Sequence, residues 1–149
     1  MAVIKYHDWL IETDREQNEQ LYKQVETTGT QSCGCENCKY FDSISHRVFP
    51  AEIRELFEAL GVDIDKNCDV SDFGTEETGH MFLGRFQFVG SLLEGHDSSV
   101  PTASGGFTVD LLPLNDTFKI GFTKLISDSF FKDVPNLVQI EFMARELYG

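Results

Sequence analysis

Positive charge is what this sequence has least of. Twelve Lys and Arg residues face 25 Asp and Glu, leaving a formal charge of −13. Both signs are spread along the chain, and no basic stripe is present to neutralise phosphates. That argues against a nucleic-acid partner and against an anionic membrane surface. A basic protein or a cation would be attracted, although acidity of this kind serves solubility in many proteins. Long hydrophobic runs are missing too. The longest stretch without a charge, Ser98 to Val109, contains Ser, Thr, Gly and Pro, so it reads as a loop and not as a membrane span. Met1-Ala2-Val3-Ile4-Lys5 lacks the apolar core of a secretion signal, so the expected address is the cytoplasm. There is no internal repeat and no low-complexity segment. G-x-S-x-G, H-E-x-x-H, a Walker loop and a dinucleotide fingerprint are all absent, which removes the commonest hydrolase, zinc-protease and nucleotide chemistries. Gly105-Gly106 precedes a strand pattern and is a turn, not a phosphate cradle.

What remains is enough for one domain over residues 1–149. A globule of this length hides about 70% of its unfolded surface, with a radius of gyration of ~15 Å. Thirteen Phe residues can supply much of the core. No metal or disulfide is needed to stabilise such a chain.

The pattern along the chain predicts an α+β fold: an N-terminal strand, two to three helices, then a mainly antiparallel sheet of four to five strands. Ala2 to Glu12 reads as one strand. Thr13 and Glu16 form a capping-box pattern with Asp14 beside them, starting a surface helix that runs to about Glu26. Thr27 to Ser32 reads as a polar linker. A second helix starts within the cysteines and reaches about Ser45, with Cys38, Phe41 and Ile44 on one face. A third runs from Pro50 to Gly61, with Ile53, Leu56, Phe57 and Leu60 inward. Beyond Cys68 the period becomes two. Phe82, Phe86 and Phe88, then Phe107, Val109 and Leu111, then Phe118, Ile120 and Phe122, then Val138, Ile140 and Phe142 mark strands with one buried face. Glu94 to Gly106 is a long polar loop, and Leu125 to Pro135 is expected to hold a short helical turn.

The densest group of reactive side chains is Cys33-Gly34-Cys35-Glu36-Asn37-Cys38. Three soft thiolates within six residues can face one ion, and Gly34 allows a tight bend between two of them. A helix starting near Cys35 would favour thiolate through its dipole. A second C-x-x-C at zinc-ribbon spacing is absent. Three readings therefore stand side by side: a zinc site, a thiol redox pair at Cys35 and Cys38, and plain reduced cysteines in packing or loop positions. A structural disulfide does not suit the expected compartment. Zinc would take Cys33, Cys35 and Cys38, with His80, Cys68, His46 or a water as fourth ligand.

Two other constellations carry less. Asp63-x-Asp65-x-Asn67-x-Asp69 has the look of a calcium loop. Framed from Asp65, however, its sixth position is Val70 where such a loop needs Gly, so a solvated acidic turn is the expectation. A Cys38–His80 nucleophile pair has no sequence feature bringing its members together.

The cysteine cluster, then Lys39-Tyr40-Phe41, then the Pro50-to-Gly61 helix, resembles a family of small uncharacterised bacterial proteins. In that family C-x-C-x-x-C is usually followed by Arg-Asn-Phe. A Leu-Gly-Ile-Asp-like stretch follows the next helix, matched here by Leu60-Gly61-Val62-Asp63. His80, Gly84 and Phe88-Val89-Gly90 match a later strand, and Val138-Gln139-Ile140-Glu141-Phe142 resembles the closing one. Lys39, Tyr40 and Arg85 depart from it. The resemblance implies a single unit and makes His80 the preferred fourth ligand, but brings no activity with it. The function expected is a non-enzymatic binding or interaction module, with a protein partner and a zinc site. The alternative is a thiol enzyme or redox protein using Cys35 and Cys38.

Overall fold

The computed structural model describes residues 1–126 and 128–146. The chain opens with two strands, β1 (Ala2–Tyr6) and β2 (Trp9–Thr13), paired antiparallel across a turn at His7-Asp8. Four helices follow: α1 (Arg15–Lys23), α2 (Gly29–Cys33), α3 (Glu36–Val48) and α4 (Ala51–Leu60). The rest is β3 (Asp69–Asp72), β4 (His80–Glu94), β5 (Ser99–Pro101), β6 (Phe107–Val109), β7 (Leu112–Pro113), β8 (Phe118–Thr123) and β9 (Leu137–Glu146).

The α+β class and the N-terminal strand agree with the sequence reading. The element counts do not: four helices replace two to three, and the main sheet has seven strands, not four to five. Its order is β1-β2-β4-β9-β8-β7, with β3 added along β4, and every pairing is antiparallel. β5 and β6 form a separate two-stranded sheet. Phe82–Arg85 of β4 pairs with β3 while the same residues pair with β9, so β3 is an edge strand.

Local chemistry explains each departure. Ala2 to Glu12 is a hairpin because His7 takes a positive φ of 51° and reverses the chain. Thr13 is not a helix cap. It closes β2 and donates its hydroxyl to the Leu60 carbonyl at 2.8 Å, while Asp14 caps α1 by accepting from the Gln17 amide. Thr27 to Ser32 is largely helix. Thr28 and Gln31 form a capping box, and each side chain satisfies the other's backbone. Phe107 and Val109 do alternate with polar residues, but β6 is exposed along its length. Leu125 to Pro135 holds no helix among its described residues, only a turn at Lys132-Asp133.

One face of the sheet packs against the helices. Phe82, Phe86 and Phe88 of β4 meet Ile120 of β8 and Ile140 and Phe142 of β9, all essentially inaccessible. Phe41 from α3 and Phe57 from α4 close over them. Ring centroids lie 5.0 Å apart for Phe41–Phe82 and 4.8 Å for Phe57–Phe86, both edge-on, which suits aromatic quadrupoles. A buried polar pin locks the helices to the sheet. The Asn18 amide nitrogen donates to the carbonyls of Leu60 and Val89, and its oxygen accepts from the Val89 amide at 2.7 Å. Among the described residues no helix is long and apolar enough to cross a membrane.

Candidate metal centre at the junction of two helices

The cysteines sit where α2 ends and α3 begins. Cys33 is the last residue of α2, Gly34 caps it in the left-handed region at φ 64°, Cys35 caps α3, and Cys38 lies in its first turn. Only a residue tolerant of positive φ lets two helices meet so abruptly. The consequence is convergence: the three Sγ atoms lie within 4.8 Å of one another. Cys33 and Cys35 are exposed and Cys38 is buried.

The junction is held from several sides. Thr30 Oγ1 donates to Asp42 on α3 at 2.7 Å, and the Thr30 amide donates to Asn67 Oδ1 at 3.1 Å. A Cβ at Gly29 would overlap the Cys68 carbonyl, so α2 can lie against that segment only with glycine there. Asn67 is thereby committed to α2 and Asp69 pairs with Arg85 of β4. Asp63 accepts from the Asp65 amide in a local turn. The acidic stretch is therefore a structural connector and not a calcium loop.

Electrostatics divide the thiols. The Cys38 amide donates to Cys35 Sγ at 3.4 Å. That bond, helped by the thiols of Cys33 and Cys38, lowers the Cys35 pKa to about 7. Burial pushes Cys38 up to about 12, and its thiol donates to the Val70 carbonyl of β3 at 3.9 Å. Burial also raises Cys68 to about 12. A thiolate is the metal ligand and the nucleophile, so the lowered pKa suits Cys35, and the raised one does not suit Cys38, to either role at neutral pH.

A cavity of about 200 Å³ opens beside the sulfurs, lined on its far side by Val70, Asp72 and Phe82. His80 opens β4 and stacks on Phe82 with centroids 5.3 Å apart. Its Nδ1 lies 2.6 Å from Asp72 Oδ2, and Asp72 Oδ1 accepts from the amides of Gly74 and Met81. Burial raises the Asp72 pKa, but these hydrogen bonds prevail and hold it below the usual carboxylate range. Asp72, not His80, thus borders the cavity as its ionisable oxygen ligand, with Asn37 and Ser71 as neutral polar neighbours. No sequence signal singles it out, because the contact arises from the β3–β4 pairing. Cys68 lies in an adjoining cavity that also reaches Cys33. His46 is ten residues along α3 from Glu36, about 15 Å by helical rise. Among the described residues the group of converging ligand atoms consists of the three thiols.

Chemically, three sulfurs around one point suit zinc or another soft ion, with a fourth position on the cavity side. The cluster is consistent with a metal-binding C-x-C-x-x-C motif. No family model, curated protein or solved structure matches the chain, so no family is shown for it.

Proposed function

We propose that the chain is a non-enzymatic binding or interaction module built around a metal–thiolate centre, with Cys33, Cys35 and Cys38 as ligands to zinc. The observation that carries this reading is the approach of three sulfurs to within 4.8 Å at a helix–helix junction. The fourth ligand is His80, swung away from Asp72, or a water. The low pKa of Cys35 favours the thiolate that a metal needs at neutral pH. Cytoplasmic residence, a single functional unit and the bacterial resemblance belong to the same reading. A partner would be a protein, not nucleic acid, given the −13 charge. Retention on heparin at physiological salt would refute that last point.

The test is metal analysis of reduced, untagged protein with a native thiol count, followed by cobalt substitution. One equivalent of zinc, one free thiol (Cys68) in the native state and thiolate-to-cobalt charge-transfer absorption are expected. His80→Ala should weaken zinc binding if His80 is a ligand and leave it unchanged if water is. Four free thiols and no cobalt spectrum would overturn the metal centre.

One observation favours a second reading. An exposed thiol at about 7 with a buried thiol at about 12 three residues on suits thiol–disulfide exchange. Cys35 thiolate would attack a substrate disulfide and release one thiolate. Cys38, giving up its proton, would then attack the Cys35 sulfur of the mixed disulfide, freeing the reduced substrate and leaving a Cys35–Cys38 disulfide. Trapping of a mixed disulfide by Cys38→Ser separates this reading from the first.

A further inference from the structure

The outer face of the sheet, away from the helices, carries a second feature. β4 and β9 place Arg85 and Glu141 side by side across their ladder, with Gln139 next along β9. Around this polar floor stand four large apolar side chains: Phe73 beyond β3, Phe107 and Val109 on β6, and Leu125 after β8. They are 66%, 56%, 44% and 44% exposed. Seven large hydrophobic side chains are exposed among the described residues, and these four gather at one cavity of about 320 Å³. Random scatter of surface apolar residues needs no explanation, but convergence on a cleft with a polar floor does. A second cavity of about 480 Å³ adjoins it, sharing Asp69, Arg85 and Gln139 and extending towards Phe130.

The floor is not balanced in charge. Two carboxylates, Asp69 and Glu141, face one guanidinium, Arg85, which already pairs with Asp69. Glu141 is only 6% exposed. Burial raises its pKa, against the pull of Gln139 and Arg85. A desolvated carboxylate with a shared cation gains from a further hydrogen-bond donor, above all a charged one. The −13 charge of the chain adds a general attraction for cations.

We propose that this cleft binds small amphiphilic amines, the apolar body held between Phe73, Phe107, Val109 and Leu125 and the ammonium donating to Glu141. The exposed rings lose water against the ligand body, and the Glu141 carboxylate, which has Gln139 and Ser98 as neutral hydrogen-bond partners and feels the Arg85 charge that Asp69 also uses, gains a charged donor of its own. No thiol of the cysteine cluster lines this cavity, although Cys33 and Cys68 line the adjoining one, and none of the side chains assigned here to the amine is a metal ligand.

Titration calorimetry of the full chain with naphthylmethylamine, naphthylmethanol and naphthylacetate provides the test. The amine should bind at least ~10-fold more tightly than the acid, with the alcohol between them. Glu141→Gln should erase that preference. Phe107→Ala and Phe73→Ala remove exposed side chains and leave the core untouched, so they keep the test valid should Glu141→Gln misfold. Each should weaken the amine by ~5-fold or more. Equal or tighter binding of the acid, affinity unchanged in both Phe variants, or no heat from any probe at millimolar concentration would overturn the proposal.

Discussion

Alkylation of Cys35 offers the sharpest check on the electrostatics of the cluster. With a pKa of about 7, half of this thiol is thiolate at pH 7. An ordinary cysteine at ~8.5 is about 3% ionised there, a ratio of about 16. Lower basicity also lowers nucleophilicity. A Brønsted slope of ~0.45 over ~1.5 pH units costs about fivefold, leaving a net advantage of about threefold. At pH 6 the ionised fractions are about 9% and 0.3%, and the net advantage rises to about sixfold. The shape of the profile is more telling than the rate. Cys35 should reach half its maximal rate near pH 7 and level off above pH 8, where an ordinary thiol is still climbing. Reduced, metal-free protein treated with iodoacetamide across this range, with adducts assigned by peptide mass spectrometry, gives the profile directly. Cys38→Ser keeps the backbone N–H that contributes most to the low value, so its profile should move only slightly. A Cys35 midpoint at 8.5 or above, or Cys38 labelled as fast as Cys35, would refute the reasoning.

Four further outcomes are expected. Phe57→Ala should cost ~3–5 kcal/mol in denaturant unfolding, towards the upper end because the edge-on contact with Phe86 is also lost; a midpoint near wild type would show that this ring is not core. Asn18→Ala should cost ~1–3 kcal/mol, since it strands the buried Val89 amide, while the Leu60 carbonyl keeps the Thr13 hydroxyl, and a change below ~0.5 kcal/mol would contradict the pin. Asp72 has a depressed folded-state pKa, so its contribution is complete above the unfolded value of ~3.9 and fades as pH falls through the folded one; Asp72→Asn should destabilise at pH 7 and converge with wild type in acid, and a gap that persists in acid would disprove the linkage. Removing zinc from zinc-loaded protein should lower Tm by roughly 5 °C or less, about 1 kcal/mol, because the core lies apart from the exposed Cys33 and Cys35 of the proposed site; cooperative unfolding on chelation would be the contrary result.

The parts legible in the sequence were those with long periods and strong punctuation. Pro50 and Gly61 bracket α4 as expected, and alternating Phe residues mark β4 and β8. Short elements left no period to read. β3, β5 and β7 have two to four residues, and α2 has five. The capping box of Thr28 and Gln31 was present but attached to no apolar stripe. Phe107 and Val109 show the opposite failure: their alternation is genuine, yet β6 pairs only with β5 and turns its apolar residues to a cleft. The cysteine cluster was visible from spacing, because its ligands are close in sequence. The Asp72–His80 pair was not, since it depends on how β3 folds back along β4.

That same strand separates the two proposed sites. β3 has four residues, and strand geometry sends alternate side chains to opposite faces. Val70 and Asp72 turn towards the helices, where Cys38 meets the Val70 carbonyl and Asp72 borders the thiol cavity. Asp69 lines the apolar cleft on the other side, and Ser71 borders both cavities. The edge strand is thus a seam between a thiolate cluster on one side and a carboxylate floor on the other. Among the described residues its one strand pairing is the ladder to β4, through Asp69–Arg85 to Asp72–Phe82. Edge strands are where a sheet is least constrained, and here α2 and α3 pack onto that edge in place of a further strand. Cys38 therefore packs against the sheet's open side, while the Cys33 and Cys35 sulfurs stay exposed.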